Sequence, residues 1–152
     1  MVIFYLQQAK QRLTSAAGDK IIMRLYKRKY LRIKPDFPLY GSLRIVGVGS
    51  KKVHTGTAKV RIIDISPGGL RFVSSLRFIA DRRIMIEIAF SIEEKEYCLT
   101  GWIVQGYNTE VNQYEYGVCF NQKDENLRES IKRLYRKIMV KMEKHIVLIR
   151  IN

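Results

Sequence analysis

Two short segments of the 152-residue chain carry residue types suited to binding an anion and a purine base. The first is Arg28-Lys29-Tyr30-Leu31-Arg32, in which the two arginines stand four positions apart. The second is Asp64-Ile65-Ser66-Pro67-Gly68-Gly69. A guanidinium group donates two parallel hydrogen bonds to phosphate oxygens or to the Hoogsteen edge of guanine. The first segment therefore favours phosphate binding.

The second segment is suited to the other edge of guanine. The Asp64 carboxylate only accepts hydrogen bonds, so it can receive the ring N–H and the amino group that guanine presents side by side. Ser66 adds a small donor and acceptor, and Gly69 lets the backbone turn or a flat base approach closely. Each segment alone is weak evidence, because Asp-x-Ser-x-x-Gly also describes an ordinary hairpin turn.

Taken in this order, and followed by amphipathic strands and a final helix, the two segments resemble the PilZ domain family. That family binds cyclic di-GMP through Arg-x-x-x-Arg and Asp/Asn-x-Ser-x-x-Gly, and both patterns are present here without substitution. The resemblance implies that Arg28 and Arg32 hold phosphates and stack on or bond to guanine. It implies that Asp64 and Ser66 read a guanine edge and that Gly69 allows the base to approach.

The resemblance also implies a function and a partner. The chain is expected to be a receptor and effector module that changes conformation on binding cyclic di-GMP and signals to a downstream protein. Related outputs are motility, exopolysaccharide synthesis and transcription. Lys27 adds a positive charge beside the first arginine and is a further candidate for phosphate contact. Lysine does not stack as arginine does, so one bound ligand or an intercalated pair both stay open.

Composition favours an anionic partner without choosing one. The chain has 28 Lys and Arg against 14 Asp and Glu, a formal net charge of +14. A basic β-barrel that binds RNA or DNA through exposed aromatics such as Tyr26, Tyr30 and Tyr107 is the main alternative. Nonspecific nucleic-acid binding does not need the Asp64 carboxylate at the centre of the site. A PilZ-like adaptor that binds no nucleotide is the third hypothesis, and complete motifs argue against it.

Other classes lack supporting residues in the sequence. No nucleophile–base pair or carboxylate dyad is apparent, so an enzyme is not expected. His54 and His145 stand apart from any ligand cluster, so no metal is predicted. The apolar segment 1–6 is far too short for a signal sequence or a membrane span, which favours a cytoplasmic protein. Cys98 and Cys119 are expected to be reduced, small buried residues.

Alternation of apolar and polar residues predicts a mainly β fold. Its strands are expected at residues 39–48, 57–64, 70–73, 83–90, 97–105 and 114–120, with turns that include 49–52 and 106–109. Short strands at this spacing predict a sandwich or barrel. The resemblance implies a small antiparallel six-stranded split β-barrel with a C-terminal α-helix. Asp124 is the predicted N-cap of that helix, and its apolar stripe is Leu127, Ile131, Leu134, Ile138 and Met142.

The expected organisation is a barrel domain with its helix over residues 27–142, flanked by two segments of open role. Residues 1–26 are an accessory segment or a lead-in to the arginines, and residues 143–152 are a tail. The apolar run 146–149 could pack on the barrel, pair as an edge strand or bind a partner. Charge crowding predicts that residues 24–34 are mobile without ligand and become ordered when a dianion bridges the two motifs.

Overall fold

The computed structural model describes residues 30–151, with side chains described over 30–144. Arg32–Ile138 form one compact unit, and the described residues outside this range belong to a second unit. The strands are β1 (Leu39–Val48), β2 (Lys51–Lys52), β3 (Ala58–Ser66), β4 (Gly69–Ser74), β5 (Ile84–Ile92), β6 (Lys95–Glu110) and β7 (Gln113–Phe120). A helix, α1 (Glu125–Ile151), follows β7.

The sheet closes on itself. The strands pair in the order β2-β1-β3-β4-β7-β6-β5, and β1 pairs with β5 as well as with β3. All of these pairings are antiparallel, and β2 is a two-residue strand that pairs with β1 alone. The predicted six-stranded antiparallel barrel with a C-terminal helix is therefore confirmed.

Alternate residues of each strand fill the barrel, because successive side chains of a strand point to opposite faces. In β5 the inward positions are Ile86, Ile88, Phe90 and Ile92, and all four are buried. Cys98 of β6 lies on the outer face and is exposed. The expectation that both cysteines are buried is wrong: Cys98 faces outward because Tyr97 and Leu99 occupy the inward positions beside it, and Cys119 is only half-buried.

The β6–β7 hairpin is longer than the sequence predicts. The expected turn at residues 106–109 is wrong, since β6 continues through it and pairs with β7 as far as Glu110 opposite Gln113. The turn lies instead at Val111 and Asn112, where Asn112 has a φ of 59°. Asparagine tolerates this left-handed conformation better than most residues. Gly106 sits inside the strand, where Tyr116 of β7 packs closely against it.

Helix α1 begins and packs as predicted. The Asp124 carboxylate accepts the backbone N–H of Leu127 at 3.0 Å, which satisfies a donor that has no partner within the helix. Of the predicted stripe, Leu127, Ile131, Leu134 and Ile138 are buried, whereas Met142 is only half-buried. The helix continues to Ile151, so the run 146–149 is helical and not an edge strand. Among residues 30–151, no helix combines the length and the hydropathy that a bilayer crossing requires.

The first turns of α1 are tied to the β5–β6 hairpin by polar contacts. The Tyr97 hydroxyl lies 2.6 Å from the Ser130 hydroxyl, which also accepts a hydrogen bond from Arg133 at 2.7 Å. Glu93, at the hairpin turn, forms ion pairs with Arg133 and Lys137. Glu93 has a φ of 51°, which is an unusual conformation for a residue other than glycine. These contacts hold the helix to one end of the barrel.

Candidate functional site

A β-bulge sets the direction of the Asp64 side chain. Val60 and Ile62 of β3 point into the core, so simple alternation would place Asp64 inside the barrel with them. The register between β3 and β4 shifts between Ile62 and Asp64, which leaves Ile63 as the extra residue. The strand therefore reverses its alternation, Ile65 takes the core position, and Asp64 faces outward.

The hairpin that follows brings a second arginine to this carboxylate. Ser66 pairs with Gly69, so the loop between β3 and β4 is only Pro67 and Gly68. With this register, Arg71 of β4 lies directly opposite Asp64 on the outer face. The Arg71 side chain also reaches Glu115 of β7, with 2.5 Å between Nη1 and Oε1.

Asp64 lies between two guanidinium groups. Its Oδ1 is 3.2 Å from Nη1 of Arg32, and its Oδ2 is 2.5 Å from Nε of Arg71. The Asp64 side chain is 6% exposed, whereas the arginines are 31% and 35% exposed. Burial tends to lower the pKa of Arg71, but hydrogen bonds and attraction to Asp64 and Glu115 outweigh it, so the pKa is raised. Removing one partner from a buried ion pair is strongly destabilising, so these contacts matter to the stability of the site.

A single backbone bridge fixes Arg32 in place. The Ile33 N–H donates to the Ile65 carbonyl at 2.9 Å, and the Ile65 N–H donates to the Ile33 carbonyl at 3.0 Å. Ile33 is 1% exposed and belongs to the core. Within the segment 24–34 predicted to be mobile, Ile33 is therefore paired with β3 through its backbone. Ile33 gave no signal in the sequence, because it stands outside every alternating run.

Ser66 and Gly69 have structural roles of their own in this hairpin. The buried Ser66 hydroxyl donates to the Gly69 carbonyl at 3.1 Å. A Cβ atom added to Gly69 would lie 2.0 Å from the Val118 carbonyl oxygen. The close approach of β4 to β7 therefore requires glycine here whether or not a ligand binds.

The structure thus brings together four of the six residues that the sequence singled out. Arg32, Asp64, Ser66 and Gly69 lie along the end of β3 and the start of β4. Lys27 and Arg28 lie outside the described residues, as does Tyr26 of the nucleic-acid hypothesis. Sequence reasoning did not name Arg71 or Glu115. The short Pro67-Gly68 loop was a usable signal for Arg71, since a two-residue hairpin loop fixes which residues stand opposite each other.

The site combines two kinds of recognition. The arginines supply cationic, planar donors, and Asp64 supplies acceptor oxygens that remain partly available, since a carboxylate has about four lone-pair positions. Tyr107, the exposed aromatic of the nucleic-acid hypothesis, lies on β6 opposite Glu115, the ion-pair partner of Arg71. The arrangement suits a ligand that has both anionic groups and a base edge rich in donors.

Comparison with known proteins gives a family and a set of similar folds. The model of the PilZ domain family matches residues 26–137. The Bacillus subtilis inhibitor of motility MotI/DgrA aligns with a TM-score of 0.56 and 13% identity, over 76% of this chain and 53% of that one. YcgR from Escherichia coli, in complex with c-di-GMP, aligns with a TM-score of 0.56 and 14% identity, over 81% of this chain and 50% of that one.

A third similar structure is the MrkH–c-di-GMP complex of K. pneumoniae. It aligns with a TM-score of 0.55 and 12% identity, over 78% of this chain and 55% of that one. This chain therefore spans about half the length of each of these three proteins. At these identities the alignments show a shared fold. No curated protein matches the chain by sequence.

Proposed function

Because this chain belongs to the PilZ domain family, we propose that it binds cyclic di-GMP where the Arg28–Arg32 segment meets the Asp64–Gly69 segment. One observation carries the proposal. Arg32 and Asp64 are 32 positions apart in sequence, yet Arg32 Nη1 lies 3.2 Å from Asp64 Oδ1. The Ile33–Ile65 bridge fixes this meeting through the backbone. Arg32 of the first motif thus lies beside Asp64 of the second.

Each residue has a role that follows from its chemistry. Arg32, with Arg28 and Lys27 ahead of it, would hold the two phosphates, and the planar guanidinium groups would also stack on or bond to guanine. Asp64 and Ser66 would bind a guanine edge, since guanine offers two neighbouring donors to a carboxylate. The E. coli YcgR and K. pneumoniae MrkH structures contain c-di-GMP, which supports this choice of ligand.

We further propose that the chain is a receptor that passes its signal to a protein partner. Arg32 and Asp64, where the ligand is proposed to bind, lie where the residues before β1 meet β3 through the Ile33–Ile65 bridge. A ligand there would bridge the lead-in and the barrel, so the surface that they form together would change on binding. A partner could read that change.

The direct test is calorimetric titration of the chain with cyclic di-GMP, with cyclic di-AMP and GTP as controls. We expect binding of cyclic di-GMP and a preference over cyclic di-AMP, because adenine presents a ring acceptor where guanine presents a donor to Asp64. Site groups left unpaired by the wrong base can cost on the order of 10⁴ in affinity, and an exposed site would discriminate less. Equal affinity for both dinucleotides would exclude base reading by Asp64.

Arginine variants separate the site from the general positive charge. Arg28→Ala and Arg32→Ala are each expected to cost roughly 2–5 kcal/mol of binding free energy, if each guanidinium forms a desolvated pair with phosphate. Arg136→Ala on the exposed side of α1 is the matched control and is expected to change little beyond the salt dependence. If Arg136→Ala weakens dinucleotide binding as much as Arg32→Ala, the proposed site is misplaced. If it instead abolishes binding of a single-stranded oligonucleotide, the nucleic-acid hypothesis gains.

A further inference from the structure

The two arginines on Asp64 are held in different ways, and the difference bears on how the proposed site reads a base. Arg71 belongs to β4, which pairs with both β3 and β7, and it stands directly opposite Asp64, next to the bulge at Ile63. Its guanidinium is fixed at both ends, by Asp64 at 2.5 Å and by Glu115 at 2.5 Å. Arg71 is therefore clamped between β3 and β7.

Arg32 is held less firmly. It precedes β1, and among the residues that the structure describes the ladder contact beside it is the isolated Ile33–Ile65 bridge. Its contact with Asp64 is a single hydrogen bond of 3.2 Å. The guanidinium has five N–H donors, so most remain available to an incoming phosphate or base. Of the two arginines that contact Asp64, Arg32 is the one that a ligand can bind in place of Asp64.

When Arg32 turns from Asp64 to a ligand, the buried carboxylate loses one cationic partner. Arg71 offsets this loss because it stays paired with Asp64. The Asp64 side chain is 6% exposed, and a buried carboxylate that loses every cationic partner is strongly destabilised. If Arg32 turned toward a ligand while Arg71 were absent, the Asp64 carboxylate would lose both of these arginine partners. Its two oxygens would then no longer be held in the direction that the paired donors of guanine require.

Resting on the proposed function, we propose that Arg71, clamped by Glu115, is a positioning residue for base recognition: it keeps the Asp64 carboxylate paired and oriented while Arg32 passes from Asp64 to the ligand. Arg71 holds Oδ2 and leaves Oδ1 facing the lead-in. Arg32 then occupies the Asp64 carboxylate before a ligand binds, and guanine replaces Arg32 there on binding. Arg71 acts through Asp64 and sets selectivity between bases.

The test uses Arg71→Gln and Arg71→Lys in calorimetric titrations with cyclic di-GMP and cyclic di-AMP. Arg71→Gln is expected to lower affinity for cyclic di-GMP by roughly 30-fold or more, the lower range for breaking a buried charge pair. Affinity for cyclic di-AMP should change far less, so the ratio between the two ligands falls. Arg71→Lys keeps the charge without the planar fork and should recover part of the loss.

Two further variants complete the design. Arg44→Gln is the matched control, because Arg44 also pairs with a carboxylate on a neighbouring strand, Glu87, at a distance from the site. In an Asp64→Asn background, Arg71→Gln should change affinity by less than about 3-fold, since residues that act through one another are not additive. Thermal unfolding without ligand should show a larger fall in Tm for Arg71→Gln than for Arg32→Gln.

Several results would overturn the inference. These are an Arg71→Gln affinity equal to that of Arg44→Gln, equal losses for both dinucleotides, additivity with Asp64→Asn, or a larger destabilisation from Arg32→Gln. The outcome for the proposed function is distinct. If the unaltered chain binds neither dinucleotide, the proposed function and this inference both fail. If it binds cyclic di-GMP and Arg71→Gln binds as well, only the inference fails.

Discussion

Gly69→Ala tests whether the motif glycine serves the fold, the ligand or both. The new Cβ would lie 2.0 Å from the Val118 carbonyl oxygen and 3.4 Å from the Cys119 Cα. Relief requires β4 and β7 to separate by about 1 Å at this point, because such contacts are not found below 3.0 Å. The affected pairs are Gly69 with Cys119 and Leu70 with Val118.

The expected cost follows from those contacts. Forcing an atom into a packed region costs typically ~1–3 kcal/mol. Weakening about two backbone hydrogen bonds adds roughly 1 kcal/mol each. We therefore expect Gly69→Ala to lower the free energy of unfolding by about 3–5 kcal/mol, a large part of the ~5–15 kcal/mol typical of a domain. Such a loss would appear as a lower urea midpoint with a similar m-value.

Gly56→Ala is the control, because a Cβ there meets nothing within 4 Å. Its effect should stay within about 0.5 kcal/mol, as for most exposed substitutions. If the free energies of unfolding of Gly69→Ala and Gly56→Ala differ by less than about 1 kcal/mol, the packing argument is refuted. If such a stable variant also failed to bind cyclic di-GMP, the glycine would serve base approach alone.

Two further predictions concern polar contacts. The folded-state pKa of Glu93 is lowered, chiefly by its hydrogen bond with Lys137, so the unfolded chain takes up this proton first as pH falls. The stability that Glu93 contributes is complete above the ordinary glutamate pKa of about 4.3 and is lost as pH falls through the folded-state pKa. Urea unfolding of Glu93→Gln should therefore differ most from the unaltered chain at neutral pH and converge with it in acid; a difference that is the same at every pH would contradict the role of the Glu93–Lys137 pair. Ser66→Ala removes a buried hydrogen bond and should lower stability by about 1 kcal/mol; unchanged unfolding would leave the hydroxyl with a role in ligand binding alone.

The strands were predictable because their alternation is regular wherever one face is buried. In β5 every inward position is a branched or aromatic apolar residue, and the structure buries Ile86, Ile88, Phe90 and Ile92. The end of β6 was not predictable in this way. Its outer part from Gly106 to Glu110 pairs with β7 but is exposed on both faces, so no alternation marks it as a strand.

The site was predictable in its residue types and only partly in its geometry. Matching motifs identified Arg32 and Asp64, but the direction of Asp64 depends on the bulge at Ile63. A bulge adds one residue and reverses the alternation, and an apolar residue at the extra position leaves no mark in the pattern. Arg71 was missed for a different reason: it reads as one more outward charge in a basic chain until the hairpin register is known.

The remaining prediction concerns the proposed ordering of residues 24–34 by ligand. Within this segment, Ile33 is expected to behave differently from the residues before Arg32. Ile33 is buried and its N–H is bonded to Ile65, so in hydrogen exchange its amide should be protected without ligand, on the scale of neighbouring β3 amides. Cyclic di-GMP is expected to add protection mainly to the amides of residues 24–31. The amides of β5, which is paired on both sides, should change little. If Ile33 exchanges rapidly in the free protein and gains protection with ligand, the whole lead-in orders on binding. If residues 24–31 are fully protected before ligand is added, the ordering mechanism is wrong, and a partner must read a surface that already exists and is altered only by exchange of Arg32 between Asp64 and the nucleotide.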